Sequence, residues 1–195
     1  MGRVARTFFA LIVLIAPACG SGKNAKAPAN NAGVDPALQN TLKMFDLHIQ
    51  SFTDAKIAWD VTSPLGELFP ANNTMRLHRM NSIMYDNGAR SADLKSDLAL
   101  LATGPNSQPV NGVLLADGDA YLSRNVVMVS TDGTRVETDW TRYSKKNDLI
   151  FSTAPVRVIR NDSITDGIGM EARPDMSELK IFKQNLVILG REGEE

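Results

Sequence analysis

Residues 121–168 read YLSRNVVMVS, TDGT, RVETDWTRYS, KKND, LIFSTAPVRVIR, ND and SITDGI, three long runs parted by short polar turns. Val, Ile, Tyr, Trp, Phe and Thr dominate the runs, the composition of a pleated, half-buried surface. Their apolar period is two. Leu122, Val126 and Met128 share one parity, interrupted by Arg124, and Ile150, Ala154, Val156 and Val158 share another with small Ser152 between them. Asp132-Gly133 and Asn161-Asp162 supply turn chemistry, because Gly and Asx residues tolerate the positive φ that joins antiparallel strands. The stretch therefore predicts long antiparallel strands in series, each with one side to be covered.

Outward from there the same pattern continues. The segments MFDLHI, KIAWDV and TMRLHRMNSIMY precede an Asp86-Asn87-Gly88 turn, and RSADLKSDLALL precedes a Gly- and Pro-containing loop, ATGPNSQPVN. Turn residues recur at Gly118, Gly133, Asn147, Asp162 and Asp175, the spacing of a stacked strand array. One elongated all-β domain over 44–189 follows, closed by a charged GREGEE tail at 190–195.

The first 43 residues read differently. Arg3 and Arg6 precede an apolar run from Phe8 to Ile15 and then Ala16-Pro17-Ala18-Cys19-Gly20, a secretory signal too short to span a bilayer comfortably. Small residues ahead of a Cys resemble a lipoprotein signal box, although Ala16 and Pro17 depart from its usual residues. That resemblance implies cleavage after residue 18 and diacylation of Cys19, each buried acyl CH₂ adding about 0.8 kcal/mol of membrane attachment. An ordinary signal cut after Ala18, or an uncleaved anchor, is the alternative. The following GSGKNAKAPANNAG is too polar to order itself, so 19–43 is expected to be a tether. Asp35 before Pro36 and the ALQNTLK run allow a short capped helix reaching about Lys43.

Composition narrows function. The 195 residues are 43% hydrophobic, enough for a sizeable core, and the formal net charge of −1 leaves no electrostatic footprint for nucleic acid. A single Cys excludes an intrachain disulfide framework, and with only two His residues a structural zinc site is not expected. His48 and His78 lie within strand-like runs without a nucleophile elbow, so they read as polar strand residues. Asp86, Asp117, Asp132, Asp148 and Asp162 all occupy turns, where carboxylates serve the backbone. Asp117-Gly118-Asp119 alone resembles a cation loop, too weakly to assign a metal. No catalytic residue, cofactor or metal site is expected.

Taken in order, Trp59 in KIAWDV, the Met75–Tyr85 run before Asp-Asn-Gly, Asn125-Val126, DGTRVETD at 132–139, Ile150–Ser152, Pro155-Val156 and Gly167-x-Gly169-Met170 resemble the LptC-type lipopolysaccharide-export proteins. The likeness covers roughly 44–189, in a wider group that includes LptA-like proteins. Arg124 stands where that family usually has Gly. The resemblance implies a V-shaped antiparallel β-jelly roll whose apolar interior carries the acyl chains of lipopolysaccharide. It also implies two partners: the jelly roll of an inner-membrane ABC transporter of the LptBFG type at the N-terminal edge, and an LptA-like periplasmic bridge at the C-terminal edge.

Parity selects the inward residues as Leu122, Val126, Met128, Val136, Ile150, Val156, Val158 and Met170, the last beside a bulge that Gly167 and Gly169 suggest. Each serves equally as ordinary core. Met80, Met84 and Met128 suit a sliding apolar ligand or simple gap filling. Trp59 and Trp140 read as packing or rim residues. Ile181, Phe182, Leu186 and Val187 mark the C-terminal partner edge, with Lys180 and Lys183 as charges that could instead blunt it. The expected protein is a non-enzymatic, membrane-tethered periplasmic component of lipopolysaccharide export. The alternative is a structural envelope lipoprotein whose closed β-sandwich binds another protein. Gly20 resembles an outer-membrane sorting signal while the family's usual post is the inner membrane, which is favoured slightly.

Overall fold

The computed structural model describes residues 41–105, 114–161 and 163–188. The expected signal peptide, Cys19, the expected tether up to residue 40, Asp162 and the charged tail lie outside the described residues. Ten strands follow one another: β1 (Leu42–Thr53), β2 (Lys56–Phe69), β3 (Thr74–Asp86), β4 (Ala89–Ala102), β5 (Ala120–Ser130), β6 (Arg135–Ser144), β7 (Leu149–Arg160), β8 (Ser163–Ala172), β9 (Leu179–Ile181) and β10 (Asn185–Ile188). Leu42 and Lys43, expected at the end of a helix, open β1 instead, in register with Leu68 and Glu67 of β2. Alternation from Met44 onward extends back to them, and a paired neighbour overrides weak helix propensity.

All the pairing is antiparallel and runs in chain order, β1-β2-β3-β4-β5-β6-β7-β8, with β9 and β10 sharing the far edge of β8. Hairpin turns set the register. Asn87 and Gly88 take φ 52° and 87° between Asp86 and Ala89, the two left-handed residues that a tight hairpin of this twist demands. Asp132 accepts from the Thr134 amide at 2.9 Å while Gly133 stands at φ 86°. Asp54 and Ala55 make the β1–β2 turn at φ 50° and 61° without any glycine.

A line of irregularities crosses the whole sheet. Asp46 lies opposite Pro64, and Arg79 opposite Asp97. The ladder then shifts between Lys95 and Leu98, Ser123 and Val126, Thr138 and Arg142, and Ser152 and Pro155. Asp46, Arg79, Arg124, Asn125, Gly169 and Lys183 on this line all have positive φ. Bulges bend a strand and raise its twist, so a row of them folds the sheet along a crease perpendicular to the strands. Every long strand thus contributes to two leaves. Leaf one carries Lys56–Ser63, Met80–Asp86, Ala89–Ser96, Val126–Ser130, Arg135–Thr138 and Pro155–Arg160. Leaf two carries Leu65–Phe69, Thr74–His78, Leu98–Ala102, Ala120–Ser123, Arg142–Ser144 and Leu149–Ser152.

The leaves meet. Trp59 of leaf one and Tyr143 of leaf two pack with ring centroids 5.1 Å apart, although three strands separate β2 from β6 within the sheet. Between the leaves lies one hydrophobic cluster that includes Val61, Leu77, Met80, Met84, Leu94 and Ala99 together with buried residues of β5 to β8. A smaller patch of Leu100, Ala102 and Leu115, with Tyr121 against it, covers part of the outer face of leaf two, and Tyr121 stacks on Trp140 at 5.7 Å. The architecture is an all-β, open antiparallel jelly roll.

Arg124, at φ 65°, occupies a backbone region that L residues enter at a cost of about 1 kcal/mol and Gly enters freely. Its side chain is exposed, so little packing is at stake. Arg124→Gly is expected to raise the unfolding free energy by about 1 kcal/mol, read from the urea midpoint at unchanged slope; destabilisation would mean that the bulge is not strained.

Candidate functional site

The interior between the leaves is the candidate site, and alternation delivers its lining. Leu122, Val126, Met128, Val136, Ile150, Val156, Val158 and Met170 all belong to the single interleaf cluster, and none is more than 2% exposed. Leu122, Ile150 and Met170 stand on leaf two, and the other five on leaf one. Direct register ties them together: Met128 faces Val136, which faces Val158. Trp59 and the partly buried Met176, Leu179 and Ile181 pack against the same cluster.

The crease forms the floor of this interior, and there the lining turns polar. Bulging frees backbone carbonyls, and buried hydroxyls answer them. Ser63 Oγ donates to the carbonyls of His78 and Leu65 at 2.7 and 2.8 Å, Thr138 Oγ1 to that of Pro155 at 2.8 Å, and Ser96 Oγ to that of Leu98 at 3.2 Å. Ser152 Oγ accepts from the Ala154 amide at 3.0 Å. Small hydroxyl residues fit because they bond the bent backbone locally while occupying little room. Sequence reading passed over them, since Ser and Thr at inward parity look like lapses in an apolar stripe.

Glycine sets the crease in β8. A Cβ on Gly167 would lie 2.3 Å from Ile181 Cγ2, and Gly169 needs its φ of 83° to carry the bulge that the sequence suggested. This close approach lets the C-terminal segment bridge the crease: the Ile168 amide donates to the Phe182 carbonyl at 3.0 Å, and the Phe182 amide to the Gly169 carbonyl at 2.9 Å. The β9 and β10 pieces thereby act as one edge strand broken at Lys183. Of the residues expected on that edge, Ile181 turns into the cluster, whereas Phe182, Leu186 and Val187 are 45%, 58% and 55% exposed. The opposite edge, β1, exposes Leu42, Phe45 and Phe52. Sequence reading had singled out no residues on that edge.

Apart from Tyr143, which packs between the leaves, the titratable groups described below sit on the outer face or in turns. Asp119 is buried, accepting from Arg142 Nη2 at 2.8 Å and from the Lys145 amide at 3.1 Å, so its carboxylate braces the β6–β7 turn. Among the described residues no group of His, Cys, Asp and Glu could hold a metal ion. His48 Nε2 contacts Asp60 Oδ1 at 2.7 Å across β1 and β2, and His78 Nε2 donates to Glu67 Oε2 at 3.1 Å. Burial against the leaves pushes the Tyr143 hydroxyl well above the ordinary phenol range, with Asp148 adding to the effect. A surface hollow of about 700 Å³ beside the crease is lined by two ion pairs, Arg135 with Glu137 and Arg157 with Asp166, together with Val126, Val127, Pro155 and Val156.

Glu67 joins β1, β2 and β3 on the outer face of leaf two, where its carboxylate also receives Arg76 Nη1 at 3.3 Å. The hydrogen bond from His78, with Arg76 alongside, holds its carboxyl below the usual 4.5, although partial burial opposes this. A carboxyl depressed in the folded state stabilises above its unfolded value and loses that contribution as pH falls through the folded value. Comparing urea midpoints at pH 6 and pH 3, Glu67→Gln is expected to be less stable than the native protein at pH 6, with the gap narrowing at pH 3. A constant gap would exclude this ionic role.

The family described as "Lipopolysaccharide-assembly, LptC-related" matches residues 10–185. No curated protein matches the chain.

Proposed function

The chain belongs to the LptC-related family of lipopolysaccharide-assembly proteins, and on that premise we propose that it accepts lipopolysaccharide from an inner-membrane ABC transporter of the LptBFG type and passes it to an LptA-like periplasmic bridge. Membership establishes a role in lipopolysaccharide transport at the envelope, in a family of transport and binding proteins. The observation that supports the finer reading is the continuous inward stripe from Leu122 to Met170, which crosses β5 to β8 and both leaves. An acyl chain lying along this stripe would meet mostly Leu, Ile, Val and Met from one strand to the next, with small hydroxyl residues at the crease. Methionines 80, 84, 128 and 170 line it with thioether chains that adapt to a passing ligand.

The edges supply the junctions. Exposed Leu42, Phe45 and Phe52 on β1 suit strand addition by the transporter's jelly roll, and exposed Phe182, Leu186 and Val187 suit strand addition by the bridge. We assign residues 1–18 to a lipoprotein signal, lipid attachment to Cys19, residues 19–41 to a tether that leads into β1 at Leu42, and the anchor to the inner membrane. Complete burial of all eight lining residues favours a second reading, a closed sandwich that serves only as a protein-binding lipoprotein.

Photo-crosslinking separates the two. A photoreactive residue at Val126 or Val156 is expected to give lipopolysaccharide adducts in intact envelopes, above those formed from outward Lys95 or Arg157. Adducts at background level would leave the closed sandwich. Val156→Asp, tested in material shown to be folded, should cut transfer by at least tenfold, because an acyl chain would have to pass an unpaired buried carboxylate.

A further inference from the structure

Two interior hydroxyls differ from the rest. Ser63, Thr74, Ser96, Thr134, Thr138 and Ser152 are buried and each has a hydrogen-bond partner within the chain. Ser82 and Thr141 are buried to the same degree, 2% and 0% exposed, yet Ser82 Oγ and Thr141 Oγ1 have none among the described residues. Two other buried polar atoms without partners, the Nε atoms of Arg76 and Arg142, belong to guanidinium groups already bonded through another nitrogen to Glu67 and Asp119. The two hydroxyls have no such alternative.

Their positions are within the lining. Ser82 has the parity of Met80 and Met84 on β3, facing the interior from leaf one. Thr141 is in register with Leu122 on β5 and stands where the β6–β7 ladder breaks at the crease. Leaving a hydroxyl buried and unbonded costs free energy, and Ala or Val would fill either place without that cost. From this we propose that Ser82 and Thr141 are hydrogen-bonding stations for a polar group carried on an otherwise apolar ligand: a hydroxyl, ester or amide set along an acyl chain. A bare hydrocarbon chain would leave both hydroxyls as they are, whereas a substituted one would satisfy them as it passes. Thr and Ser hydroxyls both donate and accept, so each can serve any of these three groups. The inference rests on the groove reading above and adds a discrimination between plain and substituted chains.

The test uses the full-length protein and a diazirine-bearing hexadecanoic acid that labels the interior. Unlabelled hexadecanoic acid and its singly hydroxylated isomers then compete for that labelling. In the native protein the best hydroxylated isomer should compete about threefold to tenfold better than the plain acid, the range one net hydrogen bond provides. The Ser82→Ala, Thr141→Val double variant should lose that preference, so that the plain and hydroxylated acids compete alike. Thr141→Val alone should raise the melting midpoint by about 2–4 °C, since it removes an unbonded buried hydroxyl at nearly constant shape. Interior labelling without any preference in the native protein, or a preference that survives in the double variant, overturns this inference and leaves the groove standing. A lowered midpoint for Thr141→Val overturns it too, by showing that the hydroxyl has a partner in the chain. Absence of interior labelling at Val126 and Val156 overturns both readings.

Discussion

The structure depends on bending one hydrogen-bonded sheet across all its strands at once. A sheet resists this, because a ladder broken at one strand leaves backbone groups of its neighbours unpaired. Placing the breaks in register solves the problem: Asp46 beside Pro64, Arg79 beside Asp97, then the bulges of β5 to β8 and Lys183 at the far edge all fall on one line. Pro64 lacks an N–H and sits where the pairing skips from Thr62–Asn81 to Leu65–His78, so it removes no ladder bond. Interior Ser63, Ser96 and Thr138 take up carbonyls that the bend releases. Two leaves from a single sheet require that line, and an apolar space between leaves requires the two leaves.

That space is held shut by its own lining. Fully burying a side chain such as Val, Leu or Met stabilises by about 1.5–3 kcal/mol, so eight of them at 2% exposure or less oppose any separation of the leaves. Water would not part them. An acyl chain could, because each CH₂ it buries returns about 0.8 kcal/mol and its surface replaces the leaf-to-leaf contact with an equivalent one. On this accounting closure without ligand and passage of ligand are the same hydrophobic effect acting on two different partners. In the proposed passage the methionines would ease the exchange, since an unbranched thioether refills irregular space better than Val or Ile.

Sequence made the strands legible and the crease nearly invisible. Arg135–Ser144 and Leu149–Arg160 coincide with β6 and β7, because period-two alternation and Asx-Gly turns mark strand ends directly. By contrast β2 runs on from Val61 through Pro64 and Gly66 to Phe69, past residues that ordinarily end a strand. The crease residues, Asp46, Pro64, Arg79, Asp97, Arg124 and Lys183, share no chemistry that a linear reading could align. Only Gly167 and Gly169 gave a bulge signal. Arg124 looked like an interruption of the inward stripe, and the left-handed backbone at Arg124 and Asn125 explains why it is exposed while Leu122 and Val126 both face in. Ser82 and Thr141 could not be distinguished from satisfied hydroxyls by sequence, because their partners or lack of them depend on strands far away in the chain.

The same crease constrains how the molecule can be extended. A straight strand added to β1 would pair with one leaf and leave the other leaf's edge unpaired beyond the bend. Only a strand that itself breaks at the crease can pair with both, and β9 and β10 show the form such a strand takes: two short pieces on β8, separated by Phe182–Gln184, with Lys183 at φ 46°. A partner that matches this geometry lengthens both leaves together and so lengthens the apolar space between them without a gap. A partner that does not match it binds one leaf and ends the groove. Continuity of the lining from one protein to the next is therefore set by where each bends, before any side chain at the junction is considered.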